Sequence, residues 1–305
     1  MAKLILTSYD KDKVHLAKAI LPFLIILHHC SYLSGLGFFT NLGILLVSLF
    51  FLMSGYGLMT SYMKWGGQYL KSFFSKRIQK IMIPYLLSLV AWLIYKLLRD
   101  EGVSLFYYFI SNNIGNWLPN TWFVWVLLVA YFLFWVIFQL KLSLRNKLIL
   151  FAAVALGYYV LSNSLGIAQY WYRSSFCIAL GMIWRYNEVR ILRELNKTKV
   201  YYTLPIICIG LFLVFSKIHL KDITPLFTCA FFVWLMYSLK YPNANRGILF
   251  LSKISYEVYL LQCIAISLVC YFTEITYIAI LLIFVFDIVT AYFIQALSCF
   301  IIKKI

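Results

Sequence analysis

The chain has 305 residues, of which 64% are apolar and only 12% charged, whereas a soluble chain keeps roughly a quarter of its residues charged. That balance excludes a soluble globular enzyme. The formal charge of +17 does not point to nucleic acid, because the basic residues form short clusters between apolar runs and never a basic domain.

Ten apolar spans follow in chain order, near 16–35, 42–62, 80–97, 121–139, 147–163, 172–186, 200–216, 223–239, 254–271 and 277–299. Most approach the roughly 20 residues that cross a bilayer as a helix; the short ones are expected to tilt, thin the bilayer or lie half-buried. The stretch VSLFYYFISNNIGNWLPN (103–120) is too broken to span and reads as an aromatic interfacial loop. The opening MAKLILTSYDKDKVHLAKAI has too short an apolar core for a signal peptide and no small-residue cleavage site, so the first span doubles as the insertion signal. With the N-terminus inside, 21 of the 27 basic residues fall on the cytoplasmic side, five fall outside, and Lys18 lies within the first span. The expected fold is an all-α integral membrane protein of about ten transmembrane helices. Both termini are cytoplasmic, there is no soluble domain, and residues 1–305 form a single polytopic membrane domain. The seven cysteines sit in or beside apolar spans without metal-ligand spacing, so they read as packing residues and no metal is expected.

Polar residues inside these spans are costly and therefore informative. In AKAILPFLIILHHCSYL (17–33), Lys18 and His29 are eleven residues apart, about three turns. They share one helix face, about 16 Å apart along the axis, while His28 points about 100° away. Pro22 cannot donate to the carbonyl of residue 18, which loosens the helix beside Lys18. Lys18 reads either as a snorkelling anchor or as a cation at a cytoplasmic mouth. His29 reads as a functional imidazole lining a cavity, and His28 as a structural hydrogen-bonding group.

In SLFFLMSGYGLMTSY (48–62), Ser54, Gly55 and Gly57 make a small-residue patch suited to close helix packing. In FFSKRIQKIMIPYLL (73–87), Arg77 and Lys80 lie three residues apart, suited to phosphate groups or to holding the inner side by charge alone. Asp287, mid-span in LLIFVFDIVTAYF, is expected to pair with Lys18, Arg77 or another buried cation, or to stay protonated.

Taken together these motifs resemble the bacterial membrane-bound acyltransferase family 3. Lys18-x10-His29 is similar to the family's opening basic-x10-His signature, with lysine where arginine is commoner. FFLMSGY (50–56) and KRIQKIMIP (76–84) resemble its second- and third-span motifs. TWFVWVLLVAY (121–131), RSSFCIALGMIW (173–184) and LSKISYEVYLLQ (251–262) resemble later ones. The chain departs where the late histidine is Gln262 and the glycine before Lys253 is Ser252, and its fourth span lacks the acidic motif of one branch. At this length, the esterase-like domain that some relatives carry is not expected.

The resemblance implies an O-acyltransferase of the bacterial plasma membrane. Its donor would be cytoplasmic acyl-CoA, acetyl-CoA being the commonest cosubstrate. Its acceptor would be a hydroxyl of a cell-envelope or capsular polysaccharide or of its lipid-linked precursor, with membrane lipids as the other partner and no nucleic acid. On that reading Lys18, Arg77 and Lys80 hold the CoA phosphates. His29 acts as general base or as transient acyl carrier. Ser54, Trp122 and Arg173 are candidates for the substrate path, against tight packing, belt anchoring and a plain interfacial arginine. The competing class is a proton-coupled transporter or flippase for a sugar or lipid-linked intermediate, with His28, His29 and Asp287 as a relay.

Overall fold

The structure is a computed structural model that describes residues 11–34, 42–99, 108–109, 111–112, 114–217, 221–240 and 244–304. All regular structure among them is helical. The helices are α1 (Lys11–Ser34), α2 (Gly43–Trp65), α3 (Gly67–Lys71), α4 (Gln79–Leu98), α5 (Trp122–Gln139), α6 (Leu144–Ser164), α7 (Cys177–Tyr186), α8 (Glu188–Leu195), α9 (Thr198–Lys217), α10 (Thr224–Ser238), α11 (Arg246–Phe272) and α12 (Tyr277–Lys304). A π-helical turn, Phe74–Ile78, leads into α4. Every expected span coincides with a helix, and eight of the helices are long and apolar enough to cross a bilayer.

The two exceptions are α7 and α10, of 10 and 15 residues, about 15 and 22 Å long. In α7 most side chains are buried, including Cys177, Ile178, Ala179, Met182 and Trp184. Its apolar content therefore serves packing against protein, a use that hydropathy cannot distinguish from facing lipid. The expected interfacial loop at 103–120 lies partly outside the described residues.

The chain forms two compact units, each assembled from distant segments. One holds the first turn of α1, then α2 from Ile44 onward and α3, α5 from Val129 onward, and α6 to α10. Within it α2 and α7 meet backbone to backbone. A Cβ placed on Gly55 would lie 1.9 Å from the Ile178 carbonyl oxygen, and one on Gly181 would lie 1.9 Å from that of Leu52. Gly55 thus does what the small-residue patch suggests, while Gly57 faces open space. Gly55→Ala is expected to force the two helices apart and cost about 1–3 kcal/mol, read as a lowered thermal midpoint in detergent, with Gly57→Ala as the silent control.

Two lysines counted on the inner side also cap helices here. Lys13 Nζ donates to the Met236 carbonyl (2.6 Å) near the end of α10, and Lys147 Nζ to that of Phe138 (2.8 Å) near the end of α5. Each places a cation where the helix dipole is negative and carbonyls lack an intrahelical donor. Pro205 frees the Tyr201 carbonyl in α9, and Trp234 Nε1 of α10 donates to it at 3.0 Å.

The second unit holds α1 from His15 onward, the π-helical turn, α4, the start of α5, α11 and α12. α11 packs along α12, and α4 packs on both. Tyr256 of α11 donates to the Ile81 carbonyl of α4 (3.1 Å), and His15 Nδ1 is 2.7 Å from Ser252 Oγ, which joins α1 to α11. Phe23 of α1 meets Phe284 of α12 edge to face at 5.3 Å. The approach to α5 turns through Asn120 at φ +63°, a left-handed conformation asparagine tolerates better than most residues, and Tyr259 donates to its carbonyl at 2.5 Å. At the far end, Arg99 just after α4 stacks on Tyr271 of α11, and Ser34 closes α1 beside the same stretch, so α1, α4 and α11 run in the same direction and the unit has two distinct ends.

Candidate active site

The candidate residues Lys18, His29, Arg77, Lys80 and Trp122 all fall in the second unit. α1 is continuous from Lys11 to Ser34, with Pro22 buried inside it. The helical arithmetic therefore stands: Lys18 lies about 16 Å below His29 on the same side of the helix.

The adjacent histidines have different surroundings. Their rings lie 5.0 Å apart and tilted by 55°. The His28 ring is laid over Gly43, the first residue of α2, so closely that a Cβ there would be 2.4 Å from Nε2. Gly43 is therefore space for an imidazole, and His28 is a packed group. His29 is half-buried, and among the described residues neither of its ring nitrogens has a hydrogen-bond partner. An imidazole so placed has both nitrogens available to a reactant.

At the other end of the unit, the π-helical turn widens the backbone just before α4 and carries Arg77. Arg77 lies within electrostatic range of Lys18, and the two cations oppose each other. Lys18 has no carboxylate partner among the described residues. An ammonium without a carboxylate partner, within electrostatic range of a guanidinium, suits the phosphate oxygens of an anion. Lys80 is exposed on the first turn of α4.

Of the two expectations for Asp287, pairing with a cation is the one that fails. It is fully buried in α12, and among the described residues neither carboxylate oxygen has a hydrogen-bond partner, so it pairs with neither Lys18 nor Arg77. Its near neighbour is Cys263 of α11. Gln262 is also buried, with both amide atoms unpartnered among the described residues.

Ser54 and Arg173 fall in the first unit. Ser54 is half-buried beside the Gly55 crossing. Arg173 has no acidic neighbour in sequence, yet it forms a salt bridge with Asp222, and Asp222 also accepts from Tyr159 at 2.9 Å. Its guanidinium is thus already neutralised. Trp122 opens α5 and is half-buried.

Sequence reasoning missed a second charged group, in which the Glu188 carboxylate accepts from Tyr56 and Tyr237 (both 3.0 Å) and from Arg185 (2.8 Å). Trp184 Nε1 donates to Tyr237 at 2.9 Å. Tyr56 ends the FFLMSGY motif, so the motif's aromatic is a hydrogen-bond donor tying α2 to α8 and α10. A carboxylate three residues from an arginine, at the start of an amphipathic helix, was the available signal.

Fold and site together define a multi-pass helical membrane protein carrying a cation pair and an unencumbered histidine on one helix unit. The acyltransferase-3 family profile, described as an acyltransferase domain, matches residues 11–302. The chain belongs to that family and is a membrane acyltransferase. No curated protein and no solved structure matches it significantly.

Proposed function

We propose that this protein moves an acyl group, most often acetyl, from cytoplasmic acyl-CoA to a hydroxyl of an extracytoplasmic or lipid-linked sugar, within the bacterial plasma membrane. The observation that carries the reading is that Lys18 and Arg77 lie within electrostatic range of each other at one end of the second unit, with His29 three turns along the helix that carries Lys18. CoA presents phosphates at one end and a thioester at the other, so its binding needs cations separated from the reacting group.

In the general-base route, the His29 imidazole takes the proton of the acceptor hydroxyl as its oxygen attacks the thioester carbonyl. The tetrahedral intermediate expels the CoA thiolate, which receives that proton from the imidazolium. The products are an ester and free CoA with no net proton released. In the acyl-carrier route, a ring nitrogen attacks the thioester carbonyl first and CoA leaves as the thiol with the imidazole's proton; the hydroxyl oxygen then attacks the acyl carbon, the acyl–nitrogen bond breaks, and the hydroxyl proton returns to the imidazole. Neither route needs a proton relay across the membrane. The transporter reading does need one, and among the described residues no contact links Asp287 to His28 or His29.

Purified protein in lipid nanodiscs, given radiolabelled acetyl-CoA and the glycan fraction of the producing cell, is expected to release CoA and label the glycan. Transport of a lipid-linked sugar that persists without any acyl transfer would overturn the reading. Substituting Lys80 by alanine is expected to raise the acetyl-CoA KM only about two- to fivefold, as for a solvent-exposed charge, read in the same assay.

A further inference from the structure

The end of the second unit opposite the cations carries an open groove of about 740 Å³. Leu33 and Ser34, at the end of α1, form one wall; Tyr271 and Phe272, at the end of α11, and Glu274 just beyond form the other. Leu33 follows His29 by four residues and so sits one turn above it on the same face of α1. The charge asymmetry of the loops makes this end extracytoplasmic.

The groove walls have a specific chemistry. Tyr271 and Phe272 are 58% and 77% exposed. The Arg99 guanidinium is stacked on the Tyr271 ring, 3.5 Å from its centre, and the Phe272 ring meets it edge to face at 4.8 Å, which fixes the Tyr271 ring while it stays largely exposed. The Glu274 carboxylate is exposed and has no hydrogen bond or ion pair among the described residues. An aromatic face attracts the partly positive C–H bonds of a sugar ring. A carboxylate, with acceptor capacity only, takes hydrogen bonds from vicinal hydroxyls. Belt aromatics need neither a fixed ring nor a neighbouring acid.

We infer that this groove is the acceptor site, in which a pyranose ring stacks on Tyr271 and donates hydroxyl hydrogen bonds to Glu274, presenting a further hydroxyl down α1 to His29. The inference rests on the acyl-transfer reading of His29. The sugar-binding part of it is separable from that reading, because binding does not require the donor.

Two measurements on the full-length protein in nanodiscs test it. In the first, acyl transfer from labelled acetyl-CoA is followed while the producing cell's glycan fraction is titrated by hexose content. Tyr271→Ala is expected to raise the acceptor KM about three- to tenfold and Glu274→Gln about tenfold. Tyr271→Phe, which keeps the ring face, stays near wild type, and the acetyl-CoA KM does not move in any variant. In the second, oligosaccharides released from that fraction and labelled at the reducing end are bound by equilibrium dialysis without acetyl-CoA, and the same ranking of variants is expected. Unchanged acceptor KM and unchanged binding in Tyr271→Ala and Glu274→Gln would overturn the inference. A fall in kcat for both substrates together with a lowered thermal midpoint would also overturn it, since that is the signature of a structural anchor. Tyr271-dependent binding without acyl transfer by wild type would keep the sugar site and sink the acyl-transfer reading instead.

Discussion

His29→Ala is expected to lower glycan acylation by about 10²–10⁴-fold, the range for removal of a positioned general base, while leaving the affinity for acetyl-CoA unchanged. The expectation follows from geometry, since the half-buried imidazole makes no hydrogen bond among the described residues and its removal breaks no internal contact of that kind. His28→Ala is the informative contrast. That ring is packed over Gly43, so its loss is expected to appear as a lowered thermal midpoint with most of the turnover retained. Single-turnover measurements with prebound donor separate the two. If His29→Ala acylates at the wild-type rate, the imidazole is not the reacting group. Trapping labelled acetyl on wild-type protein after acid quench, with its loss in His29→Ala, would select the acyl-carrier route over the general base.

Arg77→Ala is expected to raise the KM for acetyl-CoA about 10–100-fold at low ionic strength, with kcat held at saturating donor, as when one charge-assisted hydrogen bond to a phosphate is lost. The split between KM and kcat follows from distance. Arg77 lies within electrostatic range of Lys18, and Lys18 is about 16 Å along α1 from His29, so the substitution removes binding that ground state and transition state share equally. Lys18→Ala is expected to act in the same direction. The double variant should show less than the product of the two effects, because each substitution also relieves the repulsion between the cations. Acetyl-dephospho-CoA gives a direct check: removing the 3′-phosphate from the donor should erase most of the difference between wild type and Arg77→Ala if that phosphate is the partner. A donor KM indifferent to Arg77 would remove the cation pair from the CoA site.

The features legible in the sequence are those carried by local periodicity. Lys18 and His29 share a face because an α-helix repeats every 3.6 residues, and that register needs no knowledge of neighbours. The positions of the apolar helices follow from composition over twenty residues, and the close crossing at Gly55 from the absence of a side chain. The family resemblance read from ordered motifs is borne out along almost the whole chain.

What chemistry surrounds each of those residues was settled by pairings across long sequence separations. Arg173 found Asp222, 49 residues on, and is neutralised; Asp287 found no hydrogen-bonding partner among the described residues. Tyr56 became a donor to Glu188, 132 residues away. Short α7 shows the same limit from the other side, since apolar residues that pack on protein and those that face lipid have one composition. Helical register is dictated by bonds four residues long, so the sequence alone determined which side chains share a face. Which of them meet a counter-charge, a bare glycine or an open groove depends on how distant helices are brought together, and only the tertiary structure decided it.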